Sequence, residues 1–200
     1  MRVVLFGGRG GVGRTTAAAA TAVLAARSAK VLLVSSGAFG VPPGAEPVAA
    51  GELFVLHVDV PTVWPEFTRD GVRVLDGEVV ELDGWRFGFV GGGLPSPMRT
   101  PFEVPEDRYA AKVAALGQVD VLCSHIPPAV PELLYDTVAR RFEKGSTALL
   151  AAIRATQPRY ALFGHVHQPL QQRLRIGRTE CVNVGHFRAT GRPWVLTWER

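Results

Sequence analysis

Tyr160-Ala161-Leu162-Phe163-Gly164-His165-Val166-His167 is a short apolar run that stops on a glycine and two histidines. Four residues of this kind suit one buried strand and are too few for a helix. The histidines then stand just past the carboxyl end of that strand, where open α/β sheets collect their ligands. A second segment reads the same way: Asp120–Ser124 is a strand candidate, and His125 follows it. A third candidate, Leu53–Val60, holds His57 two residues before Asp59. In extended chain residues i and i+2 share a face. His165 and His167 are therefore expected to share a face, and so are His57 and Asp59. The fifth histidine, His186, reads as a loop residue.

Outward from these segments the chain alternates strands, helices and turns. Arg2–Phe6 reads as a short buried strand, Gly7–Gly13 as a glycine loop, Thr15–Ser28 as an alanine-rich helix and Val31–Ser35 as a second strand. That β-loop-α-β order predicts a parallel pair with a right-handed crossover. Gly37–Pro47, with its several glycines and prolines, is a loop. Val72–Leu75, Glu78–Leu82 and Trp85–Val90 are β-rich and separated by Asp76-Gly77 and Asp83-Gly84, two hairpin signals. Pro105–Leu116, Leu133–Phe142 and Ser146–Thr156 read as helices, the last with Ser146 as N-cap. Leu170–Ile176, Thr179–Asn183 and Pro193–Trp198 read as closing antiparallel strands. The whole predicts a mixed α/β fold: two sheets covered by flanking helices, led by the βαβ unit.

Composition narrows the classes. The 200 residues are 47% apolar and 20% charged, which is globular and not disordered. The net charge of +4 is spread thinly, with no basic block or aromatic-interleaved basic stripe, so nucleic-acid binding has no support. A modestly basic surface suits a small phosphate-bearing substrate. No apolar run approaches the length of a membrane span. Thr15–Ala26 is rich in alanine, not leucine, and follows a strand and a glycine loop, so a helix is expected there and not a secretory leader. Cys123 and Cys181 lack any C-x-x-C spacing, and Cys123 lies in an apolar run. Buried free thiols imply a reducing compartment, hence a cytoplasmic expectation.

A cluster of imidazoles with a carboxylate is what manganese, iron and zinc sites use. Ser124-His125-Ile126-Pro127-Pro128 and Gly164-His165-Val166-His167 resemble the last two motifs of calcineurin-like metallophosphoesterases, a lone histidine and then G-H-x-H. Asn183-Val184-Gly185 is similar to the N-x-G turn that commonly follows them. The resemblance spans roughly residues 57–200. It implies that His125 and His165 bind one metal of a two-metal centre and His167 its neighbour, with a phosphate clamped between. The earlier family motifs, D-x-H and G-D-x-x-D, do not occur. The third is at best Leu56-His57-Val58-Asp59, with His57 in the place of the asparagine ligand and Asp59 as the retained acid. The metal-bridging aspartate has no candidate, so one tightly held ion is expected instead of two.

Gly8-Arg9-Gly10-Gly11-Val12-Gly13-Arg14-Thr15-Thr16 has the spacing of G-x-x-x-x-G-K-[ST], with a strand before it and a helix after. Backbone N–H groups in such a loop form an anion nest. Residues 1–55 resemble the start of arsenite/anion-pump ATPases, whose loop reads K-G-G-V-G-K-T-T. Here both lysines are arginine, Arg9 and Arg14, and Ser35-Ser36-Gly37 carries no switch aspartate. Arginine keeps the charge but not the compact reach of lysine. Gly8, Arg9, Gly13, Arg14 and Thr15 are the candidate anion contacts, expected to bind without turning over ATP.

The chain therefore reads as a composite, with a degenerate P-loop-like unit over 1–55 and a metallophosphoesterase-like domain over 56–200. The expected function is metal-dependent hydrolysis of a phosphate ester, with Asp59 and His125 catalytic and with activity weakened or lost through the missing motifs. The alternatives are a P-loop nucleotide-binding protein and a non-catalytic fusion product. If the borrowed βαβ unit packs beside the Tyr160–Phe163 sheet, the glycine loop and the histidines should share one rim.

Overall fold

A computed structural model of the chain describes residues 2–5, 31–35, 53–57, 72–82, 84–97, 103–185 and 194–197, with side chains from residue 75 to residue 185. In chain order the elements are β1 (Arg2–Leu5), β2 (Val31–Ser35), β3 (Leu53–His57), β4 (Val72–Val74), β5 (Glu78–Leu82) and β6 (Trp85–Val90). Then come α1 (Glu106–Ala115), β7 (Val121–Ser124), α2 (Pro131–Leu134), β8 (Tyr135–Asp136), β9 (Arg141–Phe142) and α3 (Thr147–Thr156). The chain continues through β10 (Tyr160–Phe163), β11 (Arg173–Ile176), β12 (Thr179–Asn183) and β13 (Trp194–Thr197).

Six strands make the principal sheet, in the order β11-β12-β10-β7-β6-β5. The inner four, β6, β7, β10 and β12, are parallel neighbours. A parallel pair needs a crossover between its strands. α1 lies between β6 and β7, and α3 between β7 and β10. The edges are antiparallel hairpins, β5 with β6 and β11 with β12.

Both faces of the sheet are apolar, as parallel strands buried on two sides require. Val90, Leu122, Ala161 and Phe163 pack on one face with Tyr109 and Val113 of α1 and Leu149 and Ile153 of α3. Phe87, Phe89, Val121, Cys123, Leu162 and Val182 form the opposite face, to which no helix residue among the described ones contributes. The alternation along each strand assigns these sets. Cys123 and Cys181 are buried and free, and burial pushes both thiols up to about 12.

The mixed α/β expectation holds, with the β10–β12 strands, α1 and the Ser146-capped α3 where the sequence placed them. The Ser146 hydroxyl accepts the Leu149 N–H at 3.1 Å, satisfying one of the donors a helix start leaves open. Three expectations need correction. Among the described residues β1 lies close to β2 but has no ladder with it; it pairs antiparallel with β13, while β2, β3 and β4 form their own parallel ladder. A strand-helix-strand pattern fixes a direction but not the edge a strand finally takes, and β13 comes from the far end of the chain.

Asp76-Gly77 is not a hairpin turn. β4 on one side of it belongs to the β3 ladder and β5 on the other to the principal sheet. The Asp76 carboxylate instead accepts the Gly91 N–H at 2.8 Å and pairs with the Lys112 ammonium at 2.6 Å, which favours a passage between sheets over a tight reversal. β5 and β6, by contrast, do form an antiparallel pair, with Leu82 opposite Trp85.

Leu133–Phe142 is not one helix. α2 stops at Leu134, and the chain forms the β8–β9 hairpin. The reason is Asp136, whose Oδ1 accepts the N–H groups of Val138 and Ala139, each at 2.9 Å. An aspartate that bonds its own following backbone offers those donors a turn in place of a helix.

Candidate functional site

The site is set by the parallel pairing of β7 and β10. Their register aligns Tyr160 with Val121, Ala161 with Leu122 and Leu162 with Cys123. Both strands thus run out on the same rim, one into His125 and the other into Gly164. The Gly164 N–H then donates to the His125 carbonyl at 3.1 Å, so the exits stay joined past the end of the ladder.

Each exit is shaped locally. After β7, the Ser124 hydroxyl donates to the Ile126 carbonyl at 2.8 Å and bends the chain. Pro127 then accepts the Ser146 N–H at 2.9 Å, and Ser146 accepts from Ala129 at 3.0 Å, which ties the segment to the start of α3. Gly145 makes this close approach feasible: a Cβ there would stand 3.1 Å from the Pro127 carbonyl oxygen.

After β10, His165 has φ of +66°, a left-handed conformation rare outside glycine. The Val166 N–H donates back to the Gly164 carbonyl at 2.8 Å. With positive φ at its centre, this three-residue reversal is a γ-turn of the rarer, strained hand. Such a residue costs about 1–2 kcal/mol.

Asn183, the last residue of β12 and fully buried, bonds to the same reversal. Its amide Nδ2 donates to the Val166 carbonyl at 2.8 Å and the Gly164 carbonyl at 3.2 Å. Its Oδ1 accepts the Gly185 N–H at 2.9 Å. At about 1 kcal/mol each, bonds of this kind match the strain they restrain.

The result is a histidine pair. His165 Nδ1 lies 3.1 Å from His125 Nε2, with the ring centroids 4.9 Å apart in an edge-on arrangement. Two nitrogens held at about 2.0–2.1 Å by one ion, at tetrahedral or right angles, are roughly 2.9–3.4 Å apart. The pair thus has the spacing of two ligands to one metal. It is equally the spacing of a hydrogen bond in which one imidazole donates and the other accepts.

Among the described residues, no three His, Cys, Asp or Glu side chains converge as a metal group. The segment is a γ-turn and not extended chain, so the two-residue alternation that put His165 and His167 on one face does not apply to it.

Asp136 meets the site from the other side. Its buried carboxylate accepts, besides its own turn, the Gln168 N–H at 3.3 Å. Burial opposes its ionised form, but the backbone donors of Ala139, Val138, Gln168 and His167 together hold its pKa below the usual carboxylate value. Asp136 was legible only as a residue inside a predicted helix. An aspartate followed by Thr137-Val138, both weak helix formers, was the available signal for a turn.

His57 ends β3, with its side chain outside the described residues. Asp59, the loop residues Gly8, Arg9, Gly13, Arg14 and Thr15, and His186 also lie outside them. So does the shared rim expected of the glycine loop and the histidines. Among the described residues no helix is long and apolar enough to cross a membrane.

Comparison with known families touches a different part of the chain. The family model described as anion-transporting ATPase matches residues 1–38, the stretch that includes the glycine loop. Among curated proteins none matches the chain. The family match covers 38 of 200 residues and points to a P-loop nucleotide-binding origin for the amino-terminal segment.

Proposed function

We propose that the principal sheet carries a single-ion site for a divalent transition metal and acts on a phosphate ester, in the manner of a metallophosphoesterase. The carrying observation is the His125–His165 pair, 3.1 Å apart and delivered by two adjacent parallel strands. Imidazole pairs suit manganese, iron and zinc. In this reading His125 and His165 are the protein's fixed ligands, His57 joins them from the end of β3, and Asp59 is the catalytic acid of the segment after it. A bound ion supplies positive charge against a phosphate oxygen and acidifies a water. The chain's own part is to hold both rings in one orientation. The six-stranded sheet is then one layer of a two-sheet sandwich over residues 56–200.

The sequence lacks the carboxylate motifs that hold a second ion. This reading therefore carries weak turnover and a stoichiometry of one. The full chain loaded with manganese and offered bis(p-nitrophenyl) phosphate tests it: slow, metal-dependent release of nitrophenol that disappears in His125→Ala is the expected result. Release that is unchanged by a chelator and by His125→Ala contradicts it.

A second reading rests on the match of residues 1–38 to the anion-transporting ATPase model. Gly8, Arg9, Gly13, Arg14 and Thr15 would bind the phosphates of a nucleotide through backbone amides and guanidinium charge. Binding of ATP without hydrolysis, weakened by Arg14→Ala, is its signature. Steady ATP hydrolysis abolished by Arg14→Ala would mean that the segment still works as an ATPase.

A further inference from the structure

We infer that Asn183 is the positioning residue of the histidine pair: its side-chain amide locks the strained turn that aims the His165 ring at His125. The inference rests on the proposed role of that pair but reads a different residue, one whose amide bonds to the backbone of the turn.

Three observations meet at this side chain. His165 is the left-handed residue at φ +66°, and the carbonyls on its two sides belong to Gly164 and Val166. Both of those carbonyls accept from the one Asn183 Nδ2, at 3.2 and 2.8 Å. An amide nitrogen has two hydrogens, so one group can hold both oxygens. Bridging the carbonyls that flank a residue fixes their separation and hence the turn between them. The same Gly164 carbonyl also closes the γ-turn with Val166 N–H. Asn183 therefore acts on the feature that makes the turn unusual.

The second observation is anchorage. Asn183 is fully buried and closes β12, which pairs in parallel with β10 and aligns Asn183 with Phe163. The clamp is thus built into the strand next to the one that carries the histidine. Its Oδ1 is committed to the Gly185 N–H, which sets the orientation of the amide. A flipped amide would face two carbonyls with its oxygen and leave Gly185 with a donor opposing a donor.

The third is what other residues at position 183 could offer. Aspartate keeps the shape and the Gly185 contact but presents no donor to the two carbonyls. Serine has one donor for two acceptors. Only an amide of this length supplies both donors and the acceptor together. A buried asparagine that merely filled space would tolerate such changes without moving His165.

The test is proton NMR on the full chain without metal. In the wild type, ring-proton NOEs between His125 and His165 and slow exchange of the Asn183 side-chain amide are expected. Asn183→Ser and Asn183→Asp should remove the ring NOEs while the cross-strand NOEs of β7 and β10 persist. Ring NOEs that survive either folded variant overturn the inference. Because either variant could unfold, the wild type also stands as a test: a freely exchanging Asn183 amide, or rings without NOEs, overturns it alone. Zinc titration separates this inference from the functional one. Loss of ring contact in a folded variant of a protein that never binds zinc leaves the clamp standing and removes the metal site. Where the wild type binds zinc, the same variants should bind it roughly 10–100-fold more weakly, as with other residues that orient metal ligands. Unchanged zinc affinity in a folded variant overturns the positioning role.

Discussion

Two parallel strands of the same sheet, β6 and β10, leave it in contrasting ways. β6 runs into Gly91-Gly92-Gly93, and the positive φ its exit needs, +91°, falls on Gly92. β10 runs into Gly164-His165-Val166-His167, where the positive φ falls on His165, next to a glycine with ordinary backbone angles. Glycine takes such a conformation without steric cost, whereas a histidine takes it only when its surroundings enforce it. One exit is solved by removing the side chain. The other keeps the side chain and accepts the strain, with Asn183 bonded to the carbonyls of Gly164 and Val166 and Asp136 to the Gln168 N–H just beyond. In the proposed reading, that retained side chain is the metal ligand of the β10 exit.

The largest effect expected concerns that side chain. His165→Ala should weaken zinc binding more than about 100-fold, beyond what residues around a ligand contribute. Chelator competition measures it. Equal affinity in the variant would remove the contrast between the two exits and leave the left-handed His165 without a purpose.

The second effect is on the support. Asp136→Asn should cost about 1.5–3 kcal/mol at neutral pH, the range for hydrogen bonds to a charged group. The carboxylate's folded pKa is lowered, so its contribution is fully present above the unfolded value of about 3.9. It is lost as pH falls through the folded value. Denaturation of wild type and variant should therefore converge below about pH 4. A gap that stays constant from pH 7 to pH 3 would show that packing, and not charge, holds the β8–β9 hairpin to His167 and Gln168.

The smallest effect sharpens the other exit. Gly92→Ala should cost about 1–2 kcal/mol, from the left-handed backbone alone, and leave zinc binding unchanged. Urea denaturation and the same zinc competition report both quantities. A large loss of zinc affinity from Gly92→Ala would place the β6 exit in the site as well.

Much of this contrast was legible before the structure. An apolar run that ends in Gly164-His165 announces a strand exit, and the β7 and β10 exits meet because adjacent parallel strands end on one rim. Ser146 announced the start of α3 through its hydroxyl. What sequence could not give was conformation within the exits. His165 and His167 are two apart, and alternation put them on one face; the chain there reverses in a γ-turn, to which alternation does not apply, and no residue type in G-H-x-H specifies that turn. Asp136 was hidden for a related reason. Leu133–Phe142 has apolar residues at helical spacing, and the carboxylate that breaks the helix does so through Val138, Ala139 and the distant Gln168. Tertiary partners decided it. The first D-G pair misled in the same way, since Asp76 takes its partners from Gly91 and Lys112.

The amino-terminal segment stands apart. Its spacing of glycines and arginines suggested a P-loop relative, and residues 1–38 match the anion-transporting ATPase model. That match covers the amino-terminal segment alone, so the metal reading must stand on the histidines.

The most direct measurement is metal content. The full chain, loaded separately with manganese, iron and zinc, freed of excess ion and measured by mass spectrometry, should retain one ion per chain, and the His125→Ala variant none. A wild type that retains no ion under any loading, or a His125→Ala variant that retains as much as the wild type, would contradict the account.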